Sequence, residues 1–132
     1  MTEEVGNDLV MYIIINNDLN MSSGKIGSQI GHIVHKYIKK IERYGYENFP
    51  PNEEYISYMK WDEYNGGTKI ILKASEKKMR ELINKFPETL HFIDTGNTTE
   101  VPNNSLTIMC FPPSNKFKRI MKEFRLLQGN NE

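Results

Sequence analysis

The chain has little sulfur chemistry. It holds one cysteine, Cys110, in 132 residues. An intramolecular disulfide is therefore excluded, and no cysteine spacing suits a metal. A lone thiol fits a reducing compartment, and the expected location is the cytoplasm. Long hydrophobic runs are lacking as well, and none approaches the ~20 residues of a membrane-spanning helix. The acidic start, Glu3-Glu4, argues against a secretory signal. Neither sign of charge is in excess, with 17 basic and 17 acidic residues. A polyanionic partner must then be met by a local patch. The sequence contains no P-loop, no dinucleotide fingerprint, no zinc signature and no internal repeat.

What is present suffices for one core. A length of 132 residues fits a single domain, 1–132, with flexible ends expected at 1–8 and 128–132. Residues 9–16 form a short, unbroken apolar and β-branched run, as for a strand covered on both faces. Ser22 or Ser23 caps the helix that follows. That helix runs to about Tyr44, where Gly45 ends it and Pro50-Pro51 breaks the chain. Residues 53–59 make one or two helical turns. Asn65-Gly66-Gly67 is a turn, and 69–73 is a strand. Ser75 caps a helix to about Lys85, supported by a Glu76–Arg80 pair. Strands at 90–93 and 106–111 flank a polar loop, and a final helix reaches about Leu127. Strands alternating with helices predict an α/β domain. The expected form is a three-layer α/β/α sandwich around a mixed, mostly parallel four-stranded sheet.

On a wheel of about 100° per residue, the first helix divides cleanly. Ile26, Ile30, Ile33, Val34, Tyr37 and Ile41 make one arc, and Lys25, Gln29, His32, Lys36 and Arg43 the opposite one. The polar arc is either a solvated face or half of a site. Gly27 and Gly31 lie inside the helix, where each costs ~0.5–1 kcal/mol relative to alanine. They suggest close approach of another backbone, a ligand or a neighbouring helix. Lys25 sits in the first turn, beside N–H groups that suit an anion. His32 follows it by about two turns, roughly 10 Å along the axis at ~1.5 Å per residue. The two cannot touch one small atom, although they can line one groove.

A second constellation, Asp94 to Pro102, falls where a strand runs into a loop. Sites in open α/β sheets gather at the carboxyl ends of strands. An aspartate there, among hydroxyls, can hold a lysine or orient a water, or it is an ordinary turn residue. Trp61 reads as core, His91 as structural, and His35 as a packing or surface residue. Lys116, Lys118, Arg119, Lys122 and Arg125 make the last helix basic. With Lys36, Lys39, Lys40 and Arg43 they form either one phosphate-contacting surface or two solvated faces.

These residues carry a resemblance. The type 2 peptidyl-tRNA hydrolases open with a strand and then Asp-Leu-x-Met-x-x-Gly-Lys-x-x-x-Gln-x-x-His. The chain has Asp18-Leu19, Met21, Gly24-Lys25, Gln29 and His32 at those positions. It resembles the family again at Trp61, Gly66, Lys69-Ile70 and Ser75-Glu76. The likeness resumes at Asp94, Gly96, Thr99-Glu100-Val101-Pro102 and Thr107, and extends to Leu126-Leu127. The resemblance implies hydrolysis of the ester joining a peptide to the 3′ end of tRNA, with no metal and no cofactor. It implies a catalytic set of Lys25, His32, Asp94, Thr99 and Thr107, with Gln29, Lys36, Asn97 and Thr98 contacting substrate. Ungapped alignment from Asp94 selects Thr98 as the first family threonine. One inserted residue selects Thr99 and restores Thr107, and is preferred. Similar proteins are often dimers.

The chain also departs from the family pattern. Asn97 replaces an arginine suited to phosphate, and Gly27, Ser28 and Gly31 replace alanines. The lost arginine motivates a rival reading, a catalytically impaired relative that binds RNA or protein. A small-molecule hydrolase is a second rival. On the enzyme reading, Lys25 stabilises the oxyanion, Asp94 orients water or holds Lys25, and His32 is a base or a tRNA contact.

Overall fold

The computed structural model describes residues 9–47, 52–96 and 100–127, so the ends 1–8 and 128–132 lie outside it. Strand β1, Met11–Asn16, is buried along its whole length. Met11, Ile13 and Ile15 enter the core formed with helices α1, Ser23–Glu47, and α2, Glu53–Tyr64. Tyr12 and Ile14 enter the core formed with α3, Glu76–Lys85, and α4, Lys118–Met121. Successive strand side chains point to opposite faces, so β1 is apolar at both because both are covered.

The other strands are β2, Lys69–Ala74, β3, Leu90–Asp94, β4, Ser105–Cys110, and β5, Arg125–Leu126. Their order is β3-β4-β1-β2-β5. The sheet is mixed, as expected, but it has five strands rather than four. It is also mostly antiparallel: only β1 and β2 pair in parallel. Strand β4 is the reason. β1, β2 and β3 all run the same way, as strands linked through helices do. β4 returns between β1 and β3 and turns what could have been one parallel contact into two antiparallel ones.

The predicted final helix is corrected too. Helix stops at Met121, and Leu126 and Arg125 pair with Leu72 and Lys73 instead. Leu127 N–H then donates to Ile71 O at 2.9 Å. An open edge of β2 would leave its backbone groups unpaired, and the returning chain satisfies them. Helix α2 is longer than one or two turns, and Asn52 caps it by accepting the Tyr55 N–H at 2.9 Å. Trp61 is core, with Nε1 donating to Thr68 O at 2.7 Å. Ser75 caps α3, and Arg80 pairs with Glu76 at 2.8 Å. Cys110 is an inert buried thiol, pushed up to about 12 by its burial.

Gly45 does not end α1, which continues through it to Glu47. It is a point where α2 comes close, since a Cβ there would run into the Tyr55 ring. At Gly27 and Gly31 a Cβ would meet nothing within 4 Å, so no backbone or helix among the described residues packs there. The two kinds of glycine should respond oppositely to alanine. Gly31→Ala is expected to raise stability by ~0.5–1 kcal/mol. Gly45→Ala gains the same helix propensity but overpacks the Tyr55 contact, at a cost of ~1–3 kcal/mol. Urea midpoints measure both, and a stabilised Gly45→Ala would refute the close approach.

Candidate active site

The site is built where the carboxyl end of β3 meets the first turns of α1. Ser22 caps α1, its Oγ accepting the Lys25 N–H at 3.2 Å. Glu100 then holds the cap from the loop side. Its carboxylate accepts from Ser22 N–H at 2.5 Å and from Ser22 Oγ at 3.0 Å. The anion expected at this helix start is therefore the protein's own carboxylate.

One turn of helix directs Lys25 and Gln29 to the same partner. Lys25 Nζ lies 2.6 Å from Asp94 Oδ2, and both side chains are over nine-tenths buried. Gln29 Nε2 donates to the same oxygen at 3.2 Å. The other carboxylate oxygen accepts the Gly96 N–H at 2.7 Å, and Gly96 adopts a left-handed φ of 90°. Gln29 Oε1 in turn accepts from Thr107 Oγ1 at 2.5 Å. The amide orientation follows, because its NH2 must face the carboxylate.

Thr107 reaches Gln29 through a break in the pairing of β3 with β4. Phe92 opposes Ile108, but the next residue, Ile93, opposes Leu106, so Thr107 is the extra residue of a β-bulge. Leu106 belongs to the α3 side of the sheet and Ile108 to the α1 side. The bulge lets Thr107 and Ile108 face α1 together, where strict alternation would send them apart.

Farther along α1 the polar arc stays in register with β3. The His32 ring stacks on Phe92, and Lys36 Nζ donates to the carbonyl of His91 at 2.8 Å. The arc is thus only in part a solvated face. His32, Lys36 and Arg43 are exposed, while Gln29 is 1% exposed. His35 is exposed, and His91 serves through its backbone. The two basic stretches do not merge, because α1 and α4 pack on opposite faces of the sheet.

Of the expected catalytic and binding residues, Lys25, Gln29, Asp94 and Thr107 meet in one hydrogen-bonded group. His32 and Lys36 lie along the same helix face outside that group. Asn97, Thr98 and Thr99 lie outside the described residues. Phe92 was not foreseen, since one aromatic in a short apolar strand carries no signal of its own. The same holds for the role of Glu100, whose partner is far away in sequence. Among the described residues, no group of three or more His, Cys, Asp or Glu could hold a metal ion.

The Asp94 carboxyl is held below the usual range, first by the Lys25 hydrogen bond and then by the Gly96 N–H, against the opposing effect of burial. It is therefore an anion whose three donors are all supplied by the protein. Beside it stands a buried lysine, the charge that an oxyanion forming at this place would require.

Two comparisons bear on this geometry. Residues 9–127 match the model of a family described as peptidyl-tRNA hydrolase PTH2. No curated protein matches the chain.

The lowered Asp94 carboxyl has a signed consequence for stability. Its contribution is complete above its unfolded value near 3.8 and is lost as pH falls through the lower folded value. Asp94→Asn removes it. Urea unfolding followed into acid should show wild type and variant converging below that pH. A stability difference that stays constant with pH would sink the linkage.

Proposed function

The chain belongs to the peptidyl-tRNA hydrolase PTH2 family, and we propose that the Lys25–Asp94 pair is its reacting centre. The reaction is hydrolysis of the ester that joins a peptide to the 3′ end of tRNA. The observation that supports the site is the buried 2.6 Å contact of these side chains, at the carboxyl end of a strand.

Attack of water on the ester carbonyl carbon places negative charge on the former carbonyl oxygen; the intermediate then breaks its bond to the ribose oxygen, which leaves with the proton lost by the water, giving a free peptide carboxyl and a tRNA hydroxyl. Lys25 stabilises that charge, and Asp94 holds Lys25 in place. Asp94 is a weak base here, because the Lys25 and Gly96 hydrogen bonds hold its carboxyl below the usual range. Gln29 and Thr107 are too buried to meet substrate, so they position Asp94 rather than touch the tRNA. Thr99 keeps the catalytic hydroxyl role that the resemblance assigns, and Thr98 and Asn97 keep the substrate contacts it assigns. Lys36, with Lys39, Lys40 and Arg43 on the same helix, contacts phosphate.

The three-layer reading of the fold, a cytoplasmic location and a homodimer belong to the same proposal. They draw on helices packed at both faces, on the lone cysteine and on the family resemblance. No helix among the described residues is long and apolar enough to cross a membrane.

Peptide release from purified peptidyl-tRNA tests the centre. Lys25→Ala removes an oxyanion partner worth ~2.7–4 kcal/mol and should lower kcat about 10²- to 10³-fold. Asp94→Asn should follow, because Lys25 loses its anchor. Either change breaks a buried pair and costs ~3–5 kcal/mol of stability, so each variant is first shown to be folded by circular dichroism. Full turnover in both folded variants would refute the assignment. Binding of tRNA should also weaken as salt rises, through the α1 basic residues. An affinity independent of salt would remove them from the interface.

A further inference from the structure

The His32 and Phe92 rings lie nearly parallel, with centroids 5.0 Å apart and 25° between their planes. His32 is exposed and Phe92 half-buried. His32 Nε2 is 3.4 Å from Ser28 Oγ, one turn earlier on α1. The imidazole is thus backed by an aromatic ring and steadied at its edge, while its residue stays open to solvent. It follows Lys25 by seven positions, roughly 10 Å along the helix at ~1.5 Å per residue. Beyond it Lys36 reaches the His91 carbonyl, and Lys39, Lys40 and Arg43 continue along α1.

We propose that the His32–Phe92 stack is the platform on which the base of the 3′-terminal nucleotide of tRNA lies. The scissile ester sits on the ribose of that nucleotide, and its base hangs from the same sugar. When the ester reaches Lys25, the base is one sugar away and needs an apolar, planar seat. Unpaired RNA bases are held on aromatic and histidine faces. Stacking on His32 extends an existing pair of rings, and the phosphates that follow run toward the lysines of α1. General base catalysis demands a different place, with an imidazole nitrogen within ~2.6–3.2 Å of the attacking water. His32 lies about two helical turns from Lys25 with its Nε2 near Ser28 Oγ, a position that favours a seat for the nucleotide base over that place. The platform rests on Lys25–Asp94 being the reacting centre.

The test measures kcat and KM for peptide release by wild type, His32→Ala, His32→Phe and Lys25→Ala. The substrates are peptidyl-tRNA and the same molecule with an abasic 3′-terminal nucleotide. His32→Ala should raise KM roughly 5- to 100-fold, the range one stacked base carries, with kcat nearly unchanged. His32→Phe keeps a flat ring without a titrating nitrogen. It should restore KM to within about threefold and leave the pH profile of kcat as in wild type. On the abasic substrate, His32→Ala should cost nothing further. The platform is overturned if His32→Phe loses as much as His32→Ala or if the loss falls on kcat. It is also overturned if the abasic substrate still responds to His32→Ala. Lys25→Ala separates the two ideas: full turnover there removes the reacting centre, whereas the abasic comparison reports on the platform alone.

Discussion

The buried contact of Lys25 with Asp94 constrains everything around it. Two opposite charges lose their hydration there, and their attraction offsets the loss only when the remaining hydrogen-bonding capacity is also met. The chain meets it with parts from three places. Gly96 turns its N–H onto one carboxylate oxygen, and Gln29 supplies a second donor to the other. Thr107 then satisfies the amide oxygen of Gln29. A half-satisfied network of this kind is worse than an apolar core. The bulge at Thr107 and the left-handed Gly96 are therefore requirements of the ion pair rather than local irregularities.

The same requirement fixes how α1 lies on the sheet. One face of the helix is apolar and fills the core. The arc from Lys25 to Lys36 runs along β3 against its direction, meeting Asp94, then Phe92, then the carbonyl of His91. Glu100 ties the start of α1 to the chain just ahead of β4. Helix and strand end are held from both sides of the loop, so the distance between Lys25 and Asp94 does not depend on side-chain flexibility alone.

Much of this was legible from local pattern. The apolar run of β1, the Ser22 and Ser75 caps and the Glu76–Arg80 pair depend on neighbours a few residues away, and pattern captures such neighbours. The parts that escaped it depend on contacts across the fold. Gly45 looks like a helix stop until Tyr55 is known to lie against it. Arg125 and Leu126 look helical until the open edge of β2 needs a partner. β4 reads as one more strand, and only its insertion beside β1 makes the sheet mostly antiparallel. Gln29 has the spacing of a solvated residue and is buried because a bulge on a distant strand points a threonine at it. The site was therefore readable as a set of residue types, while the division between buried, hydrogen-bonded members and exposed ones was not.

That division follows from burial. Thr107 bonds Gln29, Gln29 bonds Asp94 and Asp94 accepts from Lys25, so on the proposed reading the buried residues act through the lysine. His32 and Lys36 share the helix face but not the network, and both are exposed. Charge along α1 is graded accordingly. The carboxylate of Glu100 lies at its start, and a phosphate placed there would face repulsion and the loss of the Ser22 cap. Cations accumulate from Lys36 onward, where a phosphate is attracted. On the proposed reading, a polyanion whose terminal ester is at Lys25 would be oriented before any base is recognised, with its backbone leading away from Glu100 and past His32.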